Sequence, residues 1–414
     1  MAVPRMLRLR QNFPRPRVAD VPRAVAEALA GAGLPIKRGD TVAVGAGSRG
    51  IANIDIVVGA TVRWLTDLGA RPFVFPAMGS HGGGTPEGQR SVLEHYGISE
   101  STIGCPIRAT MEVVQVGEAL GLPVWLDRHA AEADWIGLVN RVKPHTDFKG
   151  AIESGLFKMM TIGLGKHTGA IQYHRANIHH GYETVITAVA REMLSKSRIG
   201  FGVGIVENGY DETARIEAFN AENLEAGERR LLKDARDWMA RLPFGQIDVL
   251  VVEEMGKNIS GAGMDTNVIG RPMNPHEPFP ADPKILWIVA LDLTDESYGN
   301  AAGIGNADFA TRRLVEKIDM KPTLINCITA CEPGAAKVPP TYETDREAIE
   351  TALSCIGLTP PEKARVVRIK NTLRLVEIEA SEAFLPEIAR RAELTKLGEP
   401  APLAFDAAGR LLRF

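Results

Sequence analysis

Residues 41–50 read TVAVGAGSRG, and they decide the fold class of this chain. The short apolar run that ends in glycine predicts a buried strand, and a helix is predicted directly after it, at about 51–68. The pattern then repeats, with a second strand in PFVFPA (72–77) and another helix at about 86–96. Alternating strands and helices predict an α/β protein with mainly parallel sheets.

The same alternation continues and indicates two domains. Residues 241–246, RLPFGQ, interrupt a long helical pattern with proline and glycine and precede a fresh apolar strand, IDVLVVEEM. We therefore expect an N-terminal α/β domain over 1–243 and a C-terminal α/β domain over 246–397. The expectation allows the tail, 398–414, to pack on the N-terminal domain. Ligands in such sheets bind beyond the carboxyl ends of the strands, so the active site is expected there, facing the cleft between the domains.

Further elements can be assigned by the same reasoning. Earlier in the chain the patterns predict strands at 124–126, 135–139 and 200–206, and helices at about 182–196 and 221–241. In the C-terminal domain they predict strands at 247–252, 285–291, 323–328 and 365–370, and helices near 308–318, 344–355 and 381–392.

Composition excludes several classes of protein. With 45% hydrophobic and 24% charged residues over 414 positions, the chain is typical of a globular protein. Its 48 Lys and Arg against 51 Asp and Glu give a net charge of −3, which favours neither nucleic acid nor a membrane surface as a partner. Four cysteines are too few for a disulfide scaffold. The N-terminus has no apolar core of a signal peptide, so we expect a cytoplasmic protein.

The first strand ends in Gly45-Ala46-Gly47-Ser48-Arg49-Gly50, which has the spacing GxGxxG. A dinucleotide site also needs an acidic residue after the second strand to bind the ribose, and that strand ends in PAMG instead. The motif therefore predicts an anion site at a helix N-terminus, formed by Gly47, Ser48 and Gly50. Arg49 within it suits two-pronged recognition of a carboxylate or phosphate, although a solvated arginine in a tight turn remains the alternative.

Two more strand ends carry histidine. His81 follows the second strand in GSHGGGT, and His145 follows the apolar strand WIGLVN in RVKPH. Because parallel strands end at the same edge of a sheet, Arg49, His81 and His145 are predicted to share one rim. Two histidines near neutrality can act as an acid/base pair.

A glycine-rich segment, residues 150–174, follows His145. It carries Lys158 among apolar neighbours, and His174 comes sixteen residues later. An apolar setting can make a lysine amine nucleophilic, whereas a lysine at a helix surface would be the ordinary alternative. Histidine is a common metal ligand, although a lone one more often lies on the surface or in the core. No HExxH, CxxC pair or GxSxG occurs, so no self-sufficient zinc site is indicated.

These five positions resemble the nickel-dependent lactate racemase family, whose members racemise or epimerise 2-hydroxyacids with a nickel-pincer nucleotide. In that family an arginine follows the first strand, a GxH motif the second, and Pro-His precedes a glycine-rich stretch with a lysine and a histidine sixteen residues apart. The matching residues are Arg49, His81, His145, Lys158 and His174. Departures occur as well: the sequences flanking Arg49 and His81 differ from the family pattern.

The resemblance implies roles for each residue. Lys158 would bind covalently the cofactor, pyridinium-3,5-bisthiocarboxylic acid mononucleotide with Ni, and His174 would be the protein ligand to nickel. His81 and His145 would be the two acid/base groups on either side of the substrate. Arg49 would bind the carboxylate of a small-molecule 2-hydroxyacid.

Further contacts and partners follow from the same resemblance. The cofactor phosphate would lie among backbone amides near Gly47, Ser48 and Gly50 or, alternatively, those of the 79–85 loop. Lys257 and Arg271, in the long Gly- and Pro-rich loop 256–283, are the best candidates for substrate contacts from the C-terminal domain. Enzymes that mature the cofactor would be partners of the protein.

Two alternatives stay open at this point. The GxGxxG spacing allows an NAD-dependent oxidoreductase. The second alternative is a non-catalytic protein that binds a metal or a nucleotide. In that case the histidines between 145 and 180 would hold a metal by themselves, and these include His167, His179 and His180.

Overall fold

A computed structural model describes residues 3–47, 50–274 and 282–413 of the chain. The chain divides into two compact units. The N-terminal unit consists of Pro14–His145 and Lys149–Met239. The C-terminal unit contains the described residues up to Phe13, the short segment Thr146–Phe148 and the described residues from Ala240 onward.

The strands follow the chain in this order: β1 (Arg5–Gln11), β2 (Thr41–Ala46), β3 (Arg71–Pro76), β4 (Val113–Ala119), β5 (Leu122–Asp127), β6 (Trp135–Arg141), β7 (Ile199–Glu207), β8 (Thr213–Asn220), β9 (Gln246–Val252), β10 (Lys284–Ala290), β11 (Phe309–Thr311), β12 (Thr341–Tyr342), β13 (Val366–Ile369), β14 (Glu377–Ser381), β15 (Leu394–Lys396) and β16 (Ala401–Pro402).

The α-helices are α1 (Val21–Gly31), α2 (Ile54–Asp67), α3 (Pro86–His95), α4 (Glu100–Ile103), α5 (Arg128–Ala131), α6 (Leu156–Lys158), α7 (Lys166–His180), α8 (Tyr182–Lys196), α9 (Leu224–Trp238), α10 (Thr266–Ile269), α11 (Arg312–Glu316), α12 (Met320–Thr329), α13 (Asp345–Ser354) and α14 (Leu385–Ile388). A π-helical turn, Met159–Gly163, continues α6. Short 3-10 turns occur at His81–Gly84, Asp295–Ser297, Ile304–Asn306, Pro333–Ala336, Pro361–Lys363 and Glu382–Phe384.

The N-terminal unit is built on a sheet with the strand order β3-β2-β6-β7-β8. The first four strands are parallel and β8 is antiparallel to β7. Parallel strands that are covered by helices on both faces consist of continuous apolar runs, because both sides of the strand are buried. Strand β7 is an example, since all of it except its last residue is buried. Strands β4 and β5 form a separate antiparallel pair. The expected α/β architecture with a mainly parallel sheet is confirmed.

Local signals explain where the helices of this unit begin. Asp20 caps α1 by accepting a hydrogen bond from the Arg23 amide, with proline in the first turn. Thr85 caps α3 in the same way through the Gly88 amide. The apolar faces of α1 and α2 pack in one core with residues of β2, β3 and β7.

The C-terminal unit has a larger mixed sheet, ordered β12-β11-β10-β9-β13-β14-β1-β15, with β16 paired to β1. The first five strands in this order, from β12 to β13, are parallel to one another. The pairs that involve β14, β1, β15 and β16 are antiparallel. The two faces of this sheet are covered by separate hydrophobic clusters, which contain Leu250 and Val251 of β9 respectively.

Three sequence expectations differ from this fold. The chain passes from one unit to the other after Met239, near the expected boundary, but β1 belongs to the sheet of the C-terminal unit and not to the domain expected over 1–243. The tail also lies in the C-terminal unit, where Phe405 and Leu411 pack on the cluster around α13.

The third difference is residues 323–328, which were expected to form a strand and lie instead within helix α12. Asp319 caps this helix by accepting from the Lys321 amide, so the start signal outweighs the short apolar run. None of the helices in the described part of the chain has the length and apolar character that a membrane crossing requires.

Candidate active site

The carboxyl ends of three neighbouring parallel strands meet at one edge of the N-terminal sheet. The last residue of β2, Ala46, pairs with Pro76 at the end of β3 and with Val139 near the end of β6. The loops that follow β3 and β6 carry His81 and His145. The sheet order thus places both histidine-bearing loops at the edge where α/β sheets bind ligands.

The loop after β2 differs from the expected anion site. Ser48 and Arg49 lie outside the described residues. Helix α2 begins only at Ile54, so the glycines do not lead directly into its N-terminus, and its first turn contains the acidic Asp55. Gly50 accepts a hydrogen bond through its carbonyl from Arg141 (3.1 Å). The predicted roles of Gly47, Ser48, Arg49 and Gly50 stay predictions.

The loop after β3 packs directly on the segment that carries Lys158. A Cβ at Gly79 would lie 3.1 Å from both Ile162 Cγ2 and Ala170 Cβ, so any larger residue here would crowd these two side chains. His81 follows two residues later, half-buried, at the start of a 3-10 turn. The GSH motif is therefore held against the π-helical turn and α7.

A buried lysine fixes this loop. Lys166 is completely buried, and its Nζ donates to the Pro76 carbonyl (2.7 Å) and to Gln89 Oε1 (2.6 Å). Gln89 in turn donates through Nε2 to the carbonyls of Met78 and Gly79. Burial lowers the pKa of Lys166, although Asp127, 3.5 Å away, acts in the opposite direction.

This network was not predicted. In the sequence, Lys166 looks as exposed as any lysine beside glycines, and its partners are more than thirty residues distant along the chain.

His145 is held by its backbone. Its amide donates to Glu153 Oε2 (2.6 Å), and its carbonyl accepts from Lys149 Nζ (2.8 Å). The Glu153 side chain is completely buried, and its second oxygen accepts from the Gly150 amide and from Arg236. A buried carboxylate paired in this way fixes the turn that presents the imidazole.

The imidazole of His145 contacts Lys158 directly, with Nε2 and Nζ in a short contact. His145 is 4% exposed and Lys158 is half-buried. An ammonium has no acceptor, so a charged Lys158 is the donor in this contact and Nε2 of His145 the acceptor. Lys158 ends α6 at the junction with the π-helical turn, and such irregular turns are frequent at functional sites.

A buried carboxyl group forms a hydrogen bond with the start of α6. Glu228, on α9, accepts a hydrogen bond from the Phe157 amide (2.9 Å) at the start of this short helix. A Cβ on Gly155 would lie 2.1 Å from Glu228 Oε1, so the glycine is needed for this approach. Burial raises the pKa of Glu228 to about 8, against the opposing effect of the amides of Phe157 and Leu156.

His174 lies on α7, sixteen residues after Lys158. Burial, and to a smaller extent the charge of Lys158, lowers the pKa of His174 to about 4, so the ring is neutral at pH 7. Its Nδ1 is buried, and no described residue forms a hydrogen bond with it. The ring of Tyr182 lies near both histidines, with its centroid 5.9 Å from that of His145 and 6.2 Å from that of His174.

Lys158, His174 and Tyr182 line one narrow crevice that is too tight to admit a water molecule. The sixteen-residue spacing therefore does bring the lysine and the second histidine together. A neutral imidazole whose Nδ1 has no partner among the described residues, next to an amine, could supply one metal ligand and one covalent bond.

A metal site made of the protein alone finds no support. Within residues 3–47, 50–274 and 282–413, no group of three or more His, Cys, Asp or Glu side chains could hold a metal ion. His167, His179 and His180 are exposed to solvent.

The two candidates in the C-terminal unit differ in character. Arg271 donates to the carbonyls of Asn306, Ile285 and Leu286 and pairs with Asp308 at 2.6 Å, contacts that fix its own loop to β10. Both of its terminal nitrogens are thus engaged in structure. Lys257 follows β9, and its Nζ donates to the carbonyl of Gly261.

Comparisons with known proteins bear on the fold. No protein-family model matches the chain, and no curated protein sequence does. Among solved structures, the chain is similar to the lactate racemase apoprotein from Thermoanaerobacterium thermosaccharolyticum, with a TM-score of 0.56. The chain has the lactate racemase fold. The similarity covers 89% of this chain and 93% of the lactate racemase chain, at 13% sequence identity, so the two share an architecture while most side chains differ.

Proposed function

We propose that this protein is a racemase or epimerase that inverts the carbinol centre of a 2-hydroxyacid, with a nickel-pincer nucleotide bound at Lys158. The observation that carries the proposal is the contact between Lys158 and His145, with His174 in the same crevice. The lactate racemase fold supports it from an independent direction.

The residues of the crevice fit this cofactor. His174 is neutral and its Nδ1 has no partner among the described residues, as a metal ligand requires before its metal binds. Imidazole suits nickel, and the half-buried amine of Lys158 can form a covalent bond. When bound, the cofactor would accept and return the hydride of the substrate carbinol.

The remaining chemistry belongs to the protein. A covalent bond at Nζ would remove the positive charge of Lys158 next to Nε2 of His145. Loss of that charge would favour protonation of the imidazole, so His145 could take the proton of a substrate hydroxyl group. His81, on the neighbouring loop, would serve the opposite face, since inversion needs one acid/base group on each side.

Residues of the loops would bind and orient the substrate and the cofactor. Arg49 would hold the substrate carboxylate, and the backbone around Gly47, Ser48 and Gly50 would lie near the cofactor phosphate. Lys257 is the remaining candidate for a substrate contact in the C-terminal unit. The contacts of Arg271 favour a structural role for that residue over substrate binding.

The proposal is tested by His81→Ala and His145→Ala in protein produced together with the cofactor maturation enzymes. Each variant should lose inversion of a 2-hydroxyacid while keeping the covalent group at Lys158 by intact mass. His180→Ala, an exposed position on α7, is the matched control and should keep both. Inversion at an unchanged rate in either of the first two variants would refute the two-base assignment.

A further inference from the structure

The backbone of Lys166 has a conformation that favours glycine. Lys166 is the first residue of α7, and its φ of 54° lies in the left-handed region. Glycine adopts this region freely, whereas a residue with a Cβ atom is strained there. Glycine would therefore fit the backbone at this position better than lysine, so the lysine side chain must contribute something that offsets the strain.

Burial also disfavours a lysine at this position. The side chains of Lys166 and of Asp127, 3.5 Å away, are both completely buried. Burial lowers the pKa of Lys166 and raises the pKa of Asp127, because it acts against the charged form of each group. Apolar side chains of similar volume often replace such a buried ion pair without loss of stability. Neither the backbone nor the stability of the core thus accounts for the lysine.

The amine of Lys166 connects α7 to three other elements. Its Nζ donates to the carbonyl of Pro76 at the end of β3 (2.7 Å) and to Oε1 of Gln89 on α3 (2.6 Å). The third element is β5, whose last residue is Asp127. Gln89 is completely buried as well, and its Nε2 donates to the carbonyl of Gly79 (2.9 Å). One amine therefore fixes the start of the loop after β3 to the start of α7.

Both ends of this connection carry a residue of the proposed active site. His81 lies two residues after Gly79 in the loop. His174 lies on α7, about two turns after Lys166. The loop packs directly on this helix, since a Cβ at Gly79 would lie 3.1 Å from Ala170 Cβ. The contacts of Lys166 thus set where His81 lies relative to the helix that carries His174.

We propose that Lys166 is a positioning residue for inversion: its buried amine holds the loop of His81 against the helix that carries His174. This inference rests on the proposed function. Because Lys166 is completely buried, it acts through His81 and not by contact with the substrate. A small displacement of the histidine is enough for a large effect, since a misplacement of about 1 Å can lower a rate on the order of 100-fold.

The test uses two variants, Lys166→Met and the double variant that combines Lys166→Met with Asp127→Asn. Methionine keeps an unbranched side chain at this position but removes the amine. Asparagine removes the carboxylate that would otherwise be left buried alone. It can still cap α5 as Asp127 does, by accepting from the Ala130 amide (3.1 Å). The double variant should therefore melt closer to wild type than the single variant.

Each protein is produced with the cofactor maturation enzymes, and inversion is measured with the member of a panel (lactate, malate, mandelate, gluconate) that the wild type inverts fastest. We expect both variants to lose about tenfold or more in kcat, with KM, the covalent group at Lys158 and the nickel content unchanged. Lys196→Met, which changes an exposed lysine in the last turn of α8, is the matched control and should behave as wild type.

Hydrogen exchange of the apoproteins tests the loop without any cofactor. Amides in residues 77–85 should exchange about tenfold faster or more in both variants, because the hydrogen bonds that hold the loop are lost. Exchange in α8 should stay as in wild type in the double variant. Gln89→Leu keeps Lys166 but removes the link to the Gly79 carbonyl, and it should show the same loss of kcat and the same faster exchange in 77–85.

A purely structural role for Lys166 predicts instead that kcat recovers together with the melting temperature in the double variant. That recovery, or unchanged exchange of residues 77–85 in the double variant and in Gln89→Leu, would overturn the inference while the proposed function stands. A wild-type protein that gains no covalent group at Lys158, or inverts no member of the panel, would overturn the proposed function and this inference with it.

Discussion

The buried carboxyl group of Glu228 should make the stability of the protein fall as the pH rises through neutrality. Burial raises the pKa of Glu228 to about 8, against 4.5 for an exposed glutamate. Between these values the folded chain keeps a proton that the unfolded chain has released. The stabilisation from this group is therefore fully present below pH 4.5 and is lost progressively as the pH rises to about 8.

The magnitude of the stability change follows from the pH range between the two pKa values of Glu228. Each pH unit inside it is worth about 1.4 kcal/mol, so this one group lowers the free energy of unfolding by about 3 kcal/mol between pH 5.5 and pH 7.5. Glu228→Gln keeps an oxygen that can accept from the Phe157 amide but cannot ionise. The difference in unfolding free energy between variant and wild type should grow in the variant's favour by about 3 kcal/mol over that range.

Urea denaturation of both proteins at pH 5.5, 6.5 and 7.5 measures this difference, and taking the difference between proteins cancels every other titrating group. Glu225→Gln on the same helix is the control. Its arginine partners, Arg191 first, lower the pKa of Glu225 to about 2, so its effect should be constant over the whole range. A constant difference for Glu228→Gln would refute the assignment of a protonated, buried carboxyl group beneath α6.

Three other substitutions test how the site is held. Glu153→Gln replaces one of the two carboxylate oxygens, which accept hydrogen bonds from the amides of His145 and Gly150, by an NH2 group that cannot accept. We expect the free energy of unfolding to fall by about 2 kcal/mol in urea denaturation, and an unchanged midpoint would contradict this. Lys166→Met should cost about 3 kcal/mol or more, since it leaves the carboxylate and the amide that pair with the lysine buried alone; thermal denaturation within a degree of wild type would count against it. Gly155→Ala should lower the melting temperature by pushing a methyl group into the buried carboxylate, whereas Gly31→Ala, which has open space, should not; equal effects would contradict the close approach.

Much of the N-terminal unit could be predicted from sequence because its signals are local. Helix α8 was placed at its observed bounds, and α2, α3 and the strands β2, β3 and β6 were placed within a few residues. The GSH and Pro-His motifs follow β3 and β6, the two strands that flank β2 in the sheet, so both lie at one edge, as the alternation of strands and helices implied.

The C-terminal unit was less predictable because its assembly is not local. Strand β1 pairs with β14, more than 360 residues later, and nothing in its own sequence indicates that partner. Residues 323–328 form an apolar run that suits either a strand or a buried helix segment, and the helix forms because Asp319 caps it.

The candidate site was also predictable only in part, where the signals are local in sequence. Spacing in the sequence pointed to the pairing of Lys158 with His174, and the crevice contains both. The groups that hold the site's loops and α6 in place were missed: Glu153, Lys166 and Glu228 are charged residues that look ordinary in sequence and become informative only when the fold buries them. Burial is a property of the assembled chain, and no pattern of neighbouring residues reveals it.

The central claim is that Lys158 carries the cofactor, and intact mass with metal analysis tests it most directly. Protein produced with the cofactor maturation enzymes should gain one covalent group, located at Lys158 by peptide mapping, and one nickel per chain. Lys158→Arg keeps the positive charge and should gain neither. A fully matured wild-type protein with no added mass, or with the added group on another lysine, would contradict the account.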